Sequence, residues 1–196
     1  MTSTTAPTRQ TRLALTPSTS MAGLLDGAWW PYTRDLTAEL PPLVDALRDR
    51  FGRVTRITAN PTPWPVAPYK VSVGGYAVHV GWFSGQDPDT MILLSYSLGR
   101  CDLLVVPPET ELASAARLMA LASAPGNLHS TNTLMSDEDA TVRRLREARA
   151  DEDAWETDGG PSAQSQSQSQ SQSRSRPRPR PVVGARMIPL PPIRWG

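Results

Sequence analysis

Cysteine is almost missing from this 196-residue chain, where Cys101 stands alone. One thiol rules out an internal disulfide framework and fits a reducing compartment. Lysine is just as scarce. Lys70 stands beside 19 arginines, a bias that reads as GC-rich codon usage because no structural need spans the whole chain. Histidine occurs twice, at His79 and His129, and neither has a metal-ligating residue at helical or loop spacing. The cysteine pairs and His-plus-carboxylate spacings of common metal sites are absent, so neither metal nor cofactor is expected. No apolar run reaches the ~20 residues that cross a bilayer. The opening MTSTTAPTRQT has no apolar stretch of the kind that drives secretion. A cytoplasmic protein without membrane association is therefore expected. Gly23 to Gly27 and Val73-Gly74-Gly75 lack the glycine spacing and lysine of a phosphate loop. There is no Gly-x-Ser-x-Gly elbow either. Cys101 begins a strand that reads as buried, where a thiol acts as a small hydrophobe and not as a nucleophile.

What is present divides the chain in two. Residues 1–156 carry 14 bases and 18 acids, whereas residues 157–196 carry six arginines and one acid. Gln164 to Ser173 is a Gln-Ser repeat, too polar to fold. The run Arg174-Ser175-Arg176-Pro177-Arg178-Pro179-Arg180 follows, an extended cationic rod. The chain then turns apolar from Met187 to Trp195, like a short docking peptide. Three regions are expected: a disordered N-terminus over 1–11, one α+β domain over 12–156, and a low-complexity tail over 157–196.

Within the domain, Arg12 to Pro17 alternates as a half-buried strand does. Leu43, Val44, Leu47 and Phe51 form one apolar helical stripe, with Pro41-Pro42 placed in its first turn and Gly52 at its C-terminal cap. Strands follow at Val54–Thr58, Tyr69–Val73, Tyr76–Trp82, Met91–Tyr96 and Asp102–Val106, with a Gly74-Gly75 hairpin between the second and third of these. A helix is expected over Thr110–Ala124, capped by Thr110, and another from Ser136 to about Trp155 with acids in its first turn. The expected fold is α+β: a small, mostly antiparallel sheet of about five to six strands with two or three helices packed on it.

The stretch LDGAWWPYTRDL, residues 25–36, is the most distinctive. Trp29 and Trp30 can form an aromatic wall, with Asp26, Arg34 and Asp35 as orienting polar groups. They can equally lock a strand to a helix, with Asp26 closing an Asp-Gly turn, Asp35 capping the helix and Arg34 paired to either aspartate. Adjacent residues on an extended segment point to opposite sides, so one Trp is expected in the core and the other more exposed. Trp64 sits in a Pro-rich loop and Trp82 on the apolar face of its strand. Convergence of Trp30, Trp64 and Trp82 on one cleft would make a site for something flat. His79 has room around it beside Ala77 and Gly81, but a solvent-facing histidine is the plainer reading.

LDGAWWPYTRDL, then Glu39-Leu40-Pro41, Trp64 with Ala67-Pro68, and LLVVPP at 103–108 together resemble an actinobacterial family known only as a domain of unknown function. The resemblance spans about residues 12 to 125. Asp26 to Pro31 is its most specific part. In that family the residue after the proline is more often basic, and Tyr32 departs from this. The resemblance implies a domain and brings no activity with it.

Three functions are open from the sequence. The first is a non-catalytic binding module for a small molecule or a protein, with candidate contacts at Asp26, Trp29, Trp30, Arg34, Asp35, Trp64 and His79. The second is an enzyme using carboxylate acid–base chemistry at Asp26 and Asp35, or at His79. The third is weak, nonspecific nucleic-acid association through Arg174, Arg176, Arg178 and Arg180, for which an acidic protein partner would serve equally. An acidic domain argues against specific nucleic-acid reading.

Overall fold

The computed structural model describes residues 10–158 except 19, 97 and 98. Of the tail expected over 157–196, residues 159–196, with Arg174, Arg176, Arg178 and Arg180, lie outside the described residues, as do residues 1–9 of the expected N-terminal segment; residues 157 and 158 end a helix. The fold is α+β. Its elements run β1 (Leu13–Leu15), β2 (Gly27–Trp29), α1 (Leu36–Phe51), β3 (Val54–Ala59), β4 (Lys70–Val73), β5 (Tyr76–Trp82), β6 (Thr90–Ser95), β7 (Gly99–Val105), α2 (Leu112–Ala122) and α3 (Thr131–Asp158).

The sheet has seven strands in the order β1-β2-β7-β6-β3-β5-β4, more than the five to six expected. The extra one is β2, three residues inside the Trp-pair stretch, too short to show any alternation. It runs parallel to β7 and antiparallel to β1. The β4–β5 hairpin then folds back so that β5 lies parallel to β3. The sheet is therefore mixed, although the remaining pairings are antiparallel.

Strand alternation sends Ile57, Val71, Val73, Val78, Val80, Met91, Leu93, Leu103 and Val105 to one face, where Leu36, Leu40, Leu43, Val44 and Leu47 of α1 cover them. On the other face Ala28, Trp30, Leu104 and Val106 meet Ala115, Leu118 and Ala122 of α2 and Leu134 of α3. Leu103 to Val106 is buried on both faces as its uniform hydrophobicity implied.

Helix boundaries differ from expectation for local reasons. Helix α1 begins at Leu36, so Pro41 and Pro42 lie at its sixth and seventh residues and not in the first turn. They withhold the N–H groups that would bond the carbonyls of Thr37 and Ala38. Gly52 closes α1 as expected, its N–H donating to Arg48 with φ 67°. Thr110 does not cap α2. Glu111 holds that position without a side-chain bond. Helix α3 starts at Thr131, a turn before Ser136, because Ser130 Oγ accepts from the Thr133 N–H and Thr131 bonds Asp87 and Thr90. No helix among the described residues is long and apolar enough to cross a membrane.

Candidate functional site

The link from β2 to α1 builds the site. Trp29 and Trp30 do point to opposite sides of the sheet, but both are buried, at 1% and 7% exposure, because helices cover both faces here. The expectation of one exposed tryptophan is corrected on that ground. Trp29 stacks on Trp64 with ring centroids 6.0 Å apart and planes 15° from parallel. Trp30 packs on the α2 side and donates its indole N–H to the Pro107 carbonyl at 3.1 Å. Trp82 packs half-buried on the α1-side core, donating to the Pro68 carbonyl. Trp30, Trp64 and Trp82 thus do not meet in one cleft, because the sheet lies between Trp30 and the other two.

The cleft that does form keeps Trp29 and Trp30 of the predicted set and draws its other walls from residues outside it. Arg12, just before β1, inserts its guanidinium between two rings, 3.5 Å from the Trp30 centroid and 4.0 Å from that of Tyr32. It also donates to the carbonyls of Trp30 and Pro31. Glu39, buried on α1, accepts from the Tyr32 N–H and the Thr33 hydroxyl. Around them opens a depression of about 350 Å³, walled by Trp29, Trp30, Tyr32, Pro41 and Pro42, with Arg12, Glu39 and Asp45 as its polar groups. Thr11 bridges its rim by donating to the Pro42 carbonyl at 3.1 Å. A second, shallower depression of about 380 Å³ shares Thr11, Arg12, Trp30 and Tyr32 and runs to Leu112, Ala116 and Met119 of α2.

The predicted polar residues lie elsewhere. Asp26 closes no turn. Its N–H donates to Asp102, and its carboxylate accepts the Asp102 N–H at 2.8 Å, zipping the chain onto β7. Asp35 caps α1, accepting from the N–H groups of Thr37 and Ala38. Arg34 pairs with neither aspartate. It bonds Glu109 and the Pro63 carbonyl, tying the Trp64 loop to the segment after β7. Burial raises the Glu109 carboxyl, but its own backbone N–H and Arg34 outweigh this and leave it lowered. Asp89, nearby on the chain side of β6, is raised by burial and by Asp87, with Arg34 opposing. His79 is exposed on the uncovered part of the sheet. Cys101 is buried, and burial, with Asp26 and Asp102 adding, pushes its thiol well up.

One signal for the cleft was legible in principle. Glu39 lies inside an apolar helical stripe, where a carboxylate needs partners. Tyr32 follows the Trp-Trp-Pro turn, and its ring meets the guanidinium of Arg12. The stacking of Arg12 depends on β1 pairing with β2 and had no local signature.

Among the described residues no group of three His, Cys, Asp or Glu side chains is placed to hold a metal. No curated protein and no solved structure matches the chain. A family model matches residues 12–122, from the stacked arginine to the end of α2, and the chain belongs to that family, the family of unknown function DUF5994.

Proposed function

We propose that the protein is a non-catalytic binding module whose cleft beside α1 takes a small, largely apolar molecule. The observation that carries this is the aromatic and prolyl depression of about 350 Å³, within the ~300–1,000 Å³ of small-molecule sites. Its charged groups hold the walls in place. Arg12 serves two carbonyls and two rings, and Glu39 serves a backbone N–H and a hydroxyl. Such groups orient a ligand and shape a pocket. The acid–base alternative has less support, since Asp26 and Asp35 each accept backbone N–H bonds in different parts of the fold. A cytoplasmic setting belongs to the same reading, supported by a single buried thiol. The domain over 12–156 would hold the ligand. The arginines at 174, 176, 178 and 180 would add a weak contact to an acidic partner.

Thermal shift of the full chain against a metabolite panel tests this. A ligand at about 100 times its Kd should add ~2.7 kcal/mol. Ala38 is exposed and lines the cleft, so Ala38→Trp should fill it and abolish the shift without lowering the melting temperature. A panel without hits, or a hit that survives Ala38→Trp, would overturn the proposal.

A further inference from the structure

Residues that alternate with the α1-side core must emerge on the opposite face of the sheet. There α2 and α3 cover β2 and β7, but over β3, β5 and β4 the side chains of Arg56, Lys70, Ser72, Ala77 and His79 are exposed. The register sets Lys70, His79 and Arg56 abreast. Lys70 lies opposite His79, His79 beside Arg56, Arg56 opposite Leu94, and Leu94 opposite Arg100. Four strand spacings of ~4.8 Å make this row about 19 Å long. Its far end is tempered by Asp102, which pairs with Arg100. Lys70 and Arg56 lie two strand spacings apart with His79 between them, and no carboxylate is interposed.

Two rings flank the row. Tyr69 is 78% exposed and Phe83 57%. Phe83 lies against Gly81, where an added Cβ would come within 3.1 Å of the ring. With Arg56, Thr58, Lys70 and His79 they line a depression of about 280 Å³ that contains no acid. Residues 10–158 hold 13 bases and 19 acids, so the acid-free stretch from Lys70 to Arg56 is a segregation of charge and not the average surface.

We propose that this bare, cationic, aromatic-flanked sheet face binds single-stranded nucleic acid without sequence preference. Cations in a row meet successive phosphates, and exposed rings accept any base by stacking. The rings favour nucleic acid over an acidic peptide, which offers charge but few stacking faces. The face is independent of the cleft beside α1, and Ala38→Trp should leave its binding untouched.

Fluorescence anisotropy of a labelled oligothymidylate with the full chain is the test. The wild type should bind, more weakly as salt rises. Tyr69→Ala with Phe83→Ala should weaken binding about tenfold or more. Arg56→Glu with Lys70→Glu should abolish it. All four side chains are exposed, so unchanged melting temperatures will show that the variants fold. A chain with Arg174, Arg176, Arg178 and Arg180 changed to serine must retain the ring-dependent binding. Absence of binding, or binding lost only in the tail variant, overturns the proposal. So does polyglutamate that competes fully while the ring variants bind like wild type, since the partner is then an acidic protein.

Discussion

Two residues of one stretch, Gly27 and Asp35, carry different kinds of structural necessity. At Gly27 an added Cβ would overlap the carbonyl oxygen of Ala14 on β1, so no side chain fits while β1 stays paired. Asp35 accepts the two N–H groups at the start of α1, a contribution of about 1 kcal/mol. Urea unfolding should therefore show Asp35→Ala mildly destabilised and Gly27→Ala destabilised by more. Equal losses would mean that β1 moves aside without cost. Asp35 was legible in the sequence because a cap bonds its own next turn. Asp26 was not, because its partner Asp102 is 76 residues away. Arg34 was misassigned for the same reason: Glu109 is remote in sequence and adjacent in space.

At the scale of elements, α2 and α3 are joined by Arg117 on one and Glu138 on the other, with Ser114 bonding the same guanidinium. Glu138 is 8% exposed on its side chain. The Arg117 hydrogen bond pulls its carboxyl below the ordinary 4.5, burial opposing. A carboxyl lowered in the folded state adds stability that is fully present above its ordinary pKa and is lost as pH falls through the folded value. Glu138→Gln should melt below wild type at neutral pH. The gap should hold down to about pH 4.5, then close in more acid solution, where wild type is protonated too. A gap independent of pH would show that the ion pair adds nothing beyond packing. Elements were legible where their signals were local: the α1 stripe, the Gly52 cap and the Gly74-Gly75 hairpin all stand where the residues placed them. Strand β2 was not, since three residues show no period and its order comes from flanking β1 and β7.

Across the whole molecule two cores lie on opposite faces of one sheet, and β2 and β7 belong to both. Trp29, Leu103 and Val105 face α1, while Ala28, Leu104 and Val106 face α2. Neither core can be lost while the other keeps these strands in place. Tryptophan fluorescence, which samples both faces, and far-ultraviolet circular dichroism should report one coincident unfolding transition in denaturant. Separate midpoints would show that the α2–α3 side opens independently. The same layout explains the candidate sites. Helices on both faces at β2 bury both tryptophans and leave a cleft where α1 meets the chain entering it. A single covered face at β3, β5 and β4 leaves the cationic row open.

The residues alone determined the α+β class, the Gly74-Gly75 hairpin, the Asp35 and Gly52 caps of α1, the buried strand at Leu103–Val106 and the acidic character of the domain, because each follows from periodicity, turn chemistry or charge read over a few neighbouring positions. The sheet order, the parallel pairings, the burial of both tryptophans, the Arg12 stack and the placing of His79 beside Arg56 and Lys70 were decided only by tertiary structure. Each depends on which distant strands pair and in what register, and that is settled by the packing of whole faces against helices.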